Sequence, residues 1–276
     1  MPAVSGARPV LKWAGGKRQL LPELLRRLPP RFGAYHEPFV GGGALFFALA
    51  TQGRLGQVYL TDANTSLIAD YMALRDEVDE VIAAMRRHRY DRDHYYAVRA
   101  LRPEDLSLPE RAARILYLNK TCYNGLYREN RAGQFNVPFG RYANPTICDE
   151  PNLRAASAVL HGVDIAQRHF STVLDYARPG DFVYFDPPYD PLSATANFTG
   201  YDRRGFGPDD QRQLRDVFAA LAGRGVRAML SNSDTPFIRE LYAGFPLQQV
   251  FVGRAVNSRV EGRGKVAEVI ITSFTL

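Results

Sequence analysis

A chain of 276 residues, 46% hydrophobic and 23% charged, can bury a core without staples, which excludes a disordered or disulfide-framed protein. Its two cysteines, Cys122 and Cys148, have no zinc spacing and no signal-peptide core precedes them, so a reducing, cytoplasmic setting is expected. No apolar run is long enough to cross a bilayer, and the net charge of +6 favours a polyanionic partner.

In chain order, residues 17–28 carry Leu20, Leu21, Leu24, Leu25 and Leu28, the spacing of an amphipathic helix that stops at Pro29-Pro30. Residues 35–40 read as a short strand running into Gly41-Gly42-Gly43, followed by an apolar helix over 44–50. Residues 57–60 (QVYL) read as a second strand, ending at Thr61-Asp62. The pattern then turns helical, with helices expected over 66–89, 93–101 and 111–118. Residues 119–142, rich in Tyr, Asn, Gly, Phe and Arg, read as loop and hairpin. Strand and helix alternate again: strand 182–185, helix 209–222, strand 228–231, helix 236–242, then strands 247–253 and 266–274 as a hairpin.

Alternation at both ends predicts an α/β fold: a Rossmann-like, largely parallel sheet with helices on both faces. Residues 1–63 and 146–276 would form it, and 64–145 would be a mainly helical insertion. Residues 86–141 hold twelve Lys/Arg against six Asp/Glu, an excess equal to that of the whole chain. A localised basic patch is what phosphate-backbone binding requires.

Four stretches carry chemistry. In EPFVGGG, a glycine turn between strand and helix lets a ligand approach the backbone, although a plain tight turn would look the same. Asp62 follows at the end of the next strand, where acids bond ribose hydroxyls in Rossmann-like folds, or where a residue simply caps a helix. Turn and acid together point to a nucleoside-containing cofactor.

In VYFDPPY, a buried strand ends at Asp186-Pro187-Pro188-Tyr189. Prolines lack N–H groups, so this corner offers carbonyls with no competing donor beside a carboxylate. Two acceptors suit a planar amino group, and Tyr189 could stack on the ring that bears it. The corner reads as a socket for an exocyclic amine on an aromatic heterocycle.

LKWAGGK places Trp13, the chain's single tryptophan, between two lysines and beside a Gly-Gly turn. YNGLYREN and GQFNVPFGRY combine the Asn, Arg and Tyr side chains that read base edges or stack, within the basic stretch. An Asn-Gly pair also marks an ordinary surface turn. The five histidines have no paired-ligand spacing, so no metal is expected, and nothing suggests a covalent nucleophile.

These stretches, in this order, resemble the Dam family of S-adenosylmethionine-dependent DNA adenine-N6 methyltransferases over about residues 10–276; LTDANTSLI, DPPYDPLSATANFTGY and LSNSDT also look like family motifs. The resemblance implies S-adenosylmethionine as cofactor, double-stranded DNA as partner, GATC as target and a monomer. It makes 64–145 the target-recognition domain and the rest the catalytic domain. Trp13 and Lys17 would enclose the methionine end of the cofactor, the Phe39, Gly41 and Gly43 turn would line its pocket, and Asp62 would hold its ribose. Asp186 and the Pro187 carbonyl would accept from the target N6 amino group, with Pro188 completing the corner and Tyr189 on the flipped adenine. Lys12, Tyr123, Asn124, Leu126, Arg128, Pro138 and Arg141 would read sequence, and Arg99 and Asn130 would touch phosphate.

Lys120-Thr121 and Ala143-Asn144 depart from the family pattern, which bears on affinity and flank preference more than on the sequence read. Two other readings compete. One is an amino-methyltransferase for another DNA sequence, cytosine N4 or an RNA adenine. The other is an inactive DNA-binding regulator.

Overall fold

The computed structural model describes residues 6–13, 17, 19–130, 133–192, 205–253 and 265–275. Ala14 to Gly16 of LKWAGGK and the SATANFTGY portion of the long motif lie outside the described residues.

The elements in chain order are α1 (Leu21–Arg26), β1 (Tyr35–Glu37), α2 (Ala44–Thr51), β2 (Val58–Asp62), α3 (Thr65–Asp76), α4 (Val78–Met85), α5 (Arg92–Ala100) and α6 (Leu108–Thr121). After these come α7 (Glu150–Leu160), β3 (Asp164–Gln167), α8 (Val173–Tyr176), β4 (Phe182–Phe185), α9 (Pro208–Gly223), β5 (Arg227–Ser233), α10 (Pro236–Leu241), β6 (Leu247–Gly253) and β7 (Lys265–Thr272). Among the described residues the sheet has seven strands in the order β3-β2-β1-β4-β5-β7-β6. β1 pairs in parallel with β2 and β4, and β4 with β5; β7 runs antiparallel between β5 and β6. The order 3-2-1-4-5 is that of a doubly wound Rossmann-like sheet, and it reverses between β1 and β4.

The chain divides into two compact units: residues 1–16, 41–55 and 64–167 in one, and residues 17–40, 56–63 and 168–276 in the other. In the second unit every residue of β4 is buried, as a central parallel strand requires. Val183 and Phe185 of β4, Ala228 and Leu230 of β5 and Val269 and Ile271 of β7 pack with Leu214, Phe218 and Leu221 of α9 and with Ile238 of α10. The alternate residue Phe182 packs on Phe32, Tyr35 and Phe274.

The first unit is mostly helical, and its helices start where side chains supply caps. Asn64 accepts from the Leu67 amide at 3.0 Å, Asp91 from the His94 amide at 2.8 Å, and Ser107 and Glu110 form a reciprocal capping box on α6. The single helix expected over 66–89 is two helices, because Glu77 leaves helical geometry (φ −135°, ψ 42°) and serves as both the end of α3 and the start of α4. α7 and β3 occupy a stretch to which the sequence reading gave no element.

Residues 121–130 and 133–140 form the expected hairpin in an irregular way. Tyr123 N donates to Pro138 O, Asn136 N to Arg128 O and Gly140 N to Thr121 O, and isolated antiparallel bridges join Cys122 to Phe139 and Glu129 to Phe135. Asn124 (φ 56°) and Gly125 (φ 62°) both take left-handed geometry, and Leu126 N closes the turn on Tyr123 O. Two consecutive positive φ angles are the reason an Asn-Gly pair stands there.

Candidate functional site

In the second unit, parallel pairing brings the carboxyl ends of β2, β1, β4 and β5 to one edge of the sheet. Asp62 ends β2, Glu37 ends β1, and Asp186 follows the last residue of β4. Phe185 is in register with Leu230, so Asp186 lies beside Ser231. This edge, next to the reversal of strand order, is where open α/β sheets bind ligands.

Lys17 and Asp186 form an ion pair at 2.7 Å, with Lys17 buried and the Asp186 side chain 22% exposed. Ser231 Oγ donates to the same Asp186 oxygen at 3.3 Å and shares a 2.8 Å hydrogen bond with the buried Tyr184 hydroxyl. Burial pushes the Asp186 carboxyl up from the usual carboxylate range, while the Lys17 ammonium and the Ser231 hydroxyl pull it back toward ionisation. The Lys17 ammonium also lies 4.4 Å from the centre of the Tyr189 ring, a cation–π contact. The Tyr189 hydroxyl donates to Glu268 of β7 at 3.2 Å, which fixes the ring's orientation.

The double-proline corner is held by a side-chain network from β5 and α9. Asn232, fully buried, accepts from the Asp190 amide at 2.9 Å and from the Ser233 amide at 2.8 Å. It donates to Gln211 Oε1 at 3.1 Å, and Gln211 Nε2 donates to the Pro188 carbonyl at 3.0 Å. Thr235, which also caps α10, donates to the Asp190 carboxylate at 2.6 Å. Phe39 stacks on Phe170 with ring centres 5.3 Å apart and meets Phe185 and Phe206 edge-on, so it closes the end of the α9-side core. Asp62 O accepts from Arg168 N at 3.1 Å.

The first unit holds the remaining sequence-selected residues. Trp13 stacks on Tyr127 with ring centres 4.6 Å apart and 30° between planes. It also lies against the glycine turn, since a Cβ at Gly41 would come within 2.8 Å of its ring. Gly41 and Gly43 have φ of 46° and 65°, and Gly41 O accepts from the Tyr71 hydroxyl at 3.0 Å. Lys12, Tyr123, Leu126, Arg128, Asn130, Pro138 and Arg141 are exposed and Asn124 half-buried. Tyr123, Asn124, Phe139, Arg141 and Tyr142 line a cavity of about 360 Å³.

Some side chains in this segment already have local partners. Arg128 Nε donates to Asn136 Oδ1 at 2.7 Å, and Asn130 and Gln134 bond through both side chain and backbone across the turn. Arg99 donates one guanidinium N–H to Val137 O at 3.1 Å, and its guanidinium lies over Tyr96. The sequence reading assigned no role to Gln211, Ser231, Asn232, Glu268, Asn119 or Asn136. For two of them, Ser231 and Asn232, a signal was present: LSNSDT sets polar residues at the end of an apolar strand, which marks a strand end facing a site. Among the described residues no cluster of His, Cys, Asp and Glu is arranged to hold a metal, and no helix is long and apolar enough to cross a membrane.

The fold is that of an α/β protein with a Rossmann-like sheet, and the corner sets a cluster of polar and aromatic side chains at the sheet's carboxyl edge. A family model described as D12 class N6 adenine-specific DNA methyltransferase matches residues 13–255. The Type II methyltransferase M1.LlaDCHI of Lactococcus lactis subsp. cremoris is 41% identical over 97% of this chain and 95% of its own length. The Type II methyltransferase M.MjaIII of Methanocaldococcus jannaschii is 39% identical, covering 97% and 99%, and the DNA adenine methylase of Escherichia coli K12 is 37% identical, covering 95% and 94%. The chain belongs to the D12 class of N6 adenine-specific DNA methyltransferases.

Proposed function

We propose that the protein methylates adenine N6 within GATC in duplex DNA, using S-adenosylmethionine and a flipped-out target base. The observation that carries this reading is the Asp186–Tyr189 corner at the end of β4, with Asp186 held at 2.7 Å by Lys17 in a chain of this family.

The donor set fits the cofactor. Carboxylates at the ends of β2 and β4 suit ribose hydroxyls and an α-ammonium group, and the glycine turn under Trp13 leaves no room for a Cβ. Trp13, Lys17, Phe39, Gly41, Gly43, Asp62 and Asp186 would hold it. When bound, S-adenosylmethionine supplies a methyl group on a sulfonium, already activated for direct displacement.

The protein's own residues then act on the amine. The adenine N6 lone pair is delocalised into the ring and is a poor nucleophile. Asp186 accepts a hydrogen bond from one N6–H and the Pro187 carbonyl from the other, which localises the pair and aims it. The Pro188 carbonyl is already taken by Gln211, and among the described residues no hydrogen bond ends on that of Pro187. Lys17 keeps Asp186 in its acceptor form. Tyr189, braced by Glu268, provides the stacking face. Flipping the base costs a few kcal/mol, which Tyr123, 52% exposed, would offset by filling the gap in the stack.

In this reading residues 64–145 recognise DNA. Lys12, Asn124, Leu126, Arg128, Pro138 and Arg141 read the sequence, and Arg99 and Asn130 face phosphate. The test uses tritiated S-adenosylmethionine and two duplexes of equal composition, one with GATC and one scrambled, with Asp186→Ala as control. Label confined to GATC and lost in the variant is expected. Equal label on both duplexes would remove the specificity and keep the chemistry.

A further inference from the structure

Among the described residues the segment before Trp13 belongs to no helix or strand, yet two buried asparagine side chains secure it. Asn119, in the last turn of α6 and 1% exposed, accepts from Lys12 N at 2.7 Å and donates to Lys12 O at 2.9 Å. Its second amide hydrogen goes to Gly125 O at 3.1 Å. One buried amide therefore joins both backbone groups of Lys12 to the Asn124-Gly125 turn. The fit is close, because a Cβ at Gly125 would come within 2.6 Å of Lys12 Cδ. Asn152 repeats the clasp four residues upstream: it accepts from Arg8 N at 3.0 Å and donates to Arg8 O at 3.2 Å.

The next residue, Trp13, lies against the glycine turn and stacks on the Tyr127 ring. Tyr127 is buried between the exposed Leu126 and Arg128, and its hydroxyl donates to Glu129 at 2.5 Å. Lys12, Trp13, the glycine turn and residues 123–128 thus form one continuous packed assembly centred on Asn119.

We infer that Asn119 is a positioning residue that makes Lys12-Trp13 and the 123–128 loop a single mechanical piece, so that cofactor at the glycine turn and target sequence at the loop favour each other. The inference rests on the roles proposed above for Trp13 and Arg128. Trp13 cannot shift against the glycine turn without Lys12, Lys12 cannot shift without the Gly125 turn, and Tyr127 transmits loop movement to the indole. Two ligands that each favour the same arrangement of such a piece bind with positive coupling, by the same factor in both directions.

Trp13 is the only tryptophan in the chain, so its emission reports directly on this stack. The probe is S-adenosylhomocysteine, titrated by tryptophan emission and by calorimetry, with saturating GATC duplex, scrambled duplex or no DNA. In wild type the GATC duplex should tighten S-adenosylhomocysteine by roughly fivefold or more, S-adenosylhomocysteine should tighten that duplex by the same factor, and the scrambled duplex should give a factor near one. Asn119→Asp keeps the acceptor for Lys12 N but loses both donated bonds, and Tyr127→Leu loses the ring; each should bring the factor toward one. Tyr127→Phe keeps the ring and should retain it.

Thermal melting establishes that each variant is folded, and if one is not, the other decides. The inference is overturned if folded Asn119→Asp and Tyr127→Leu keep the wild-type factor. It is also overturned if wild type, while methylating GATC selectively, shows the same factor with both duplexes. If wild type methylates both duplexes equally, the proposed target sequence has failed instead, and the same titration with the sequence it does methylate decides this inference.

Discussion

The side-chain amide of Gln211, in the first turn of α9, donates to the carbonyl of Pro188 at 3.0 Å. The same amide accepts from Asn232, so a helix that packs under the sheet also sets the geometry of the double-proline corner. Gln211→Leu would remove the partners of the Pro188 carbonyl and of the Asn232 Nδ2 donor, while Asn232 Oδ1 keeps the Asp190 and Ser233 amides. Each buried orphan costs about 1–3 kcal/mol. The variant should unfold at lower denaturant and lose kcat more than it raises KM for DNA. A wild-type kcat in a destabilised variant would mean that the corner holds its shape without α9.

In its proposed role Asp186 must be a carboxylate to accept a hydrogen bond from the amine. Burial raises its pKa above the ordinary 3.8, with Lys17 and Ser231 opposing that rise. The acid limb of kcat/KM therefore lies above the range of an exposed carboxylate. Ser231→Ala removes a hydrogen bond that favours the ionised form, so the limb should move to higher pH while the plateau changes little. Asp186→Asn should lower kcat by about 10²–10³ or more, as loss of a preorganised electrostatic partner does. A pH–rate profile that Ser231→Ala leaves in place would argue that another group governs the limb.

Asn136 holds the Arg128 guanidinium through Nε at 2.7 Å. With Arg128 reading a base edge, Arg128→Ala should relax discrimination at one base pair by roughly 1–3 kcal/mol. Asn136→Ala should relax the same position by a smaller amount, because the arginine remains but must be ordered on binding. Methylation rates on duplexes carrying each single substitution in the target would measure both. Loss of cofactor affinity alone in Arg128→Ala would place that residue elsewhere.

His88 stacks on Tyr117 with ring centres 4.4 Å apart and bonds to His94 at 3.1 Å. Burial, with His94 and Arg87 close by, lowers its pKa from 6.5 to about 4. A depressed folded-state pKa contributes stability that is fully present above 6.5 and is lost as pH falls through about 4, since the unfolded chain takes up the proton first. His88→Phe keeps the stack and removes the titration. Between pH 7 and 4.5 wild type should lose roughly 1–3 kcal/mol more than the variant, read by denaturant unfolding at each pH.

What could be read from the sequence follows the reach of each interaction. Strand-end acids and glycine turns are local, so Asp62, Asp186 and the 41–43 turn could be placed at sheet edges from strand patterning alone. The helices expected over 93–101 and 111–118 were legible from their pattern, whereas the caps Asp91 and Ser107, although they act within three residues of themselves, were not singled out, and α6 begins at Leu108 rather than Arg111. The break at Glu77 was not legible, since apolar periodicity continues through it and only the backbone turns. α7 was passed over although Pro151 and Asp149 stand at its start, and β3, four residues long and half polar, has too little pattern to signal a strand. The network behind the double-proline corner joins residues 21 to 45 positions apart, a distance over which a single sequence carries no pairing signal. Asn119 was hidden in the same way, being 107 residues from Lys12.

The antiparallel strand β7 lies between β5 and β6, although β6 precedes it in the chain. Among the described residues β6 pairs with β7 alone, and β7 covers one edge of β5, so both edges wait for the later strand. β7 also carries Glu268, the brace for Tyr189. Completion of the sheet and bracing of the double-proline corner thus depend on the same late-made strand, and in the proposed function a chain still short of β7 has no finished corner with which to modify DNA.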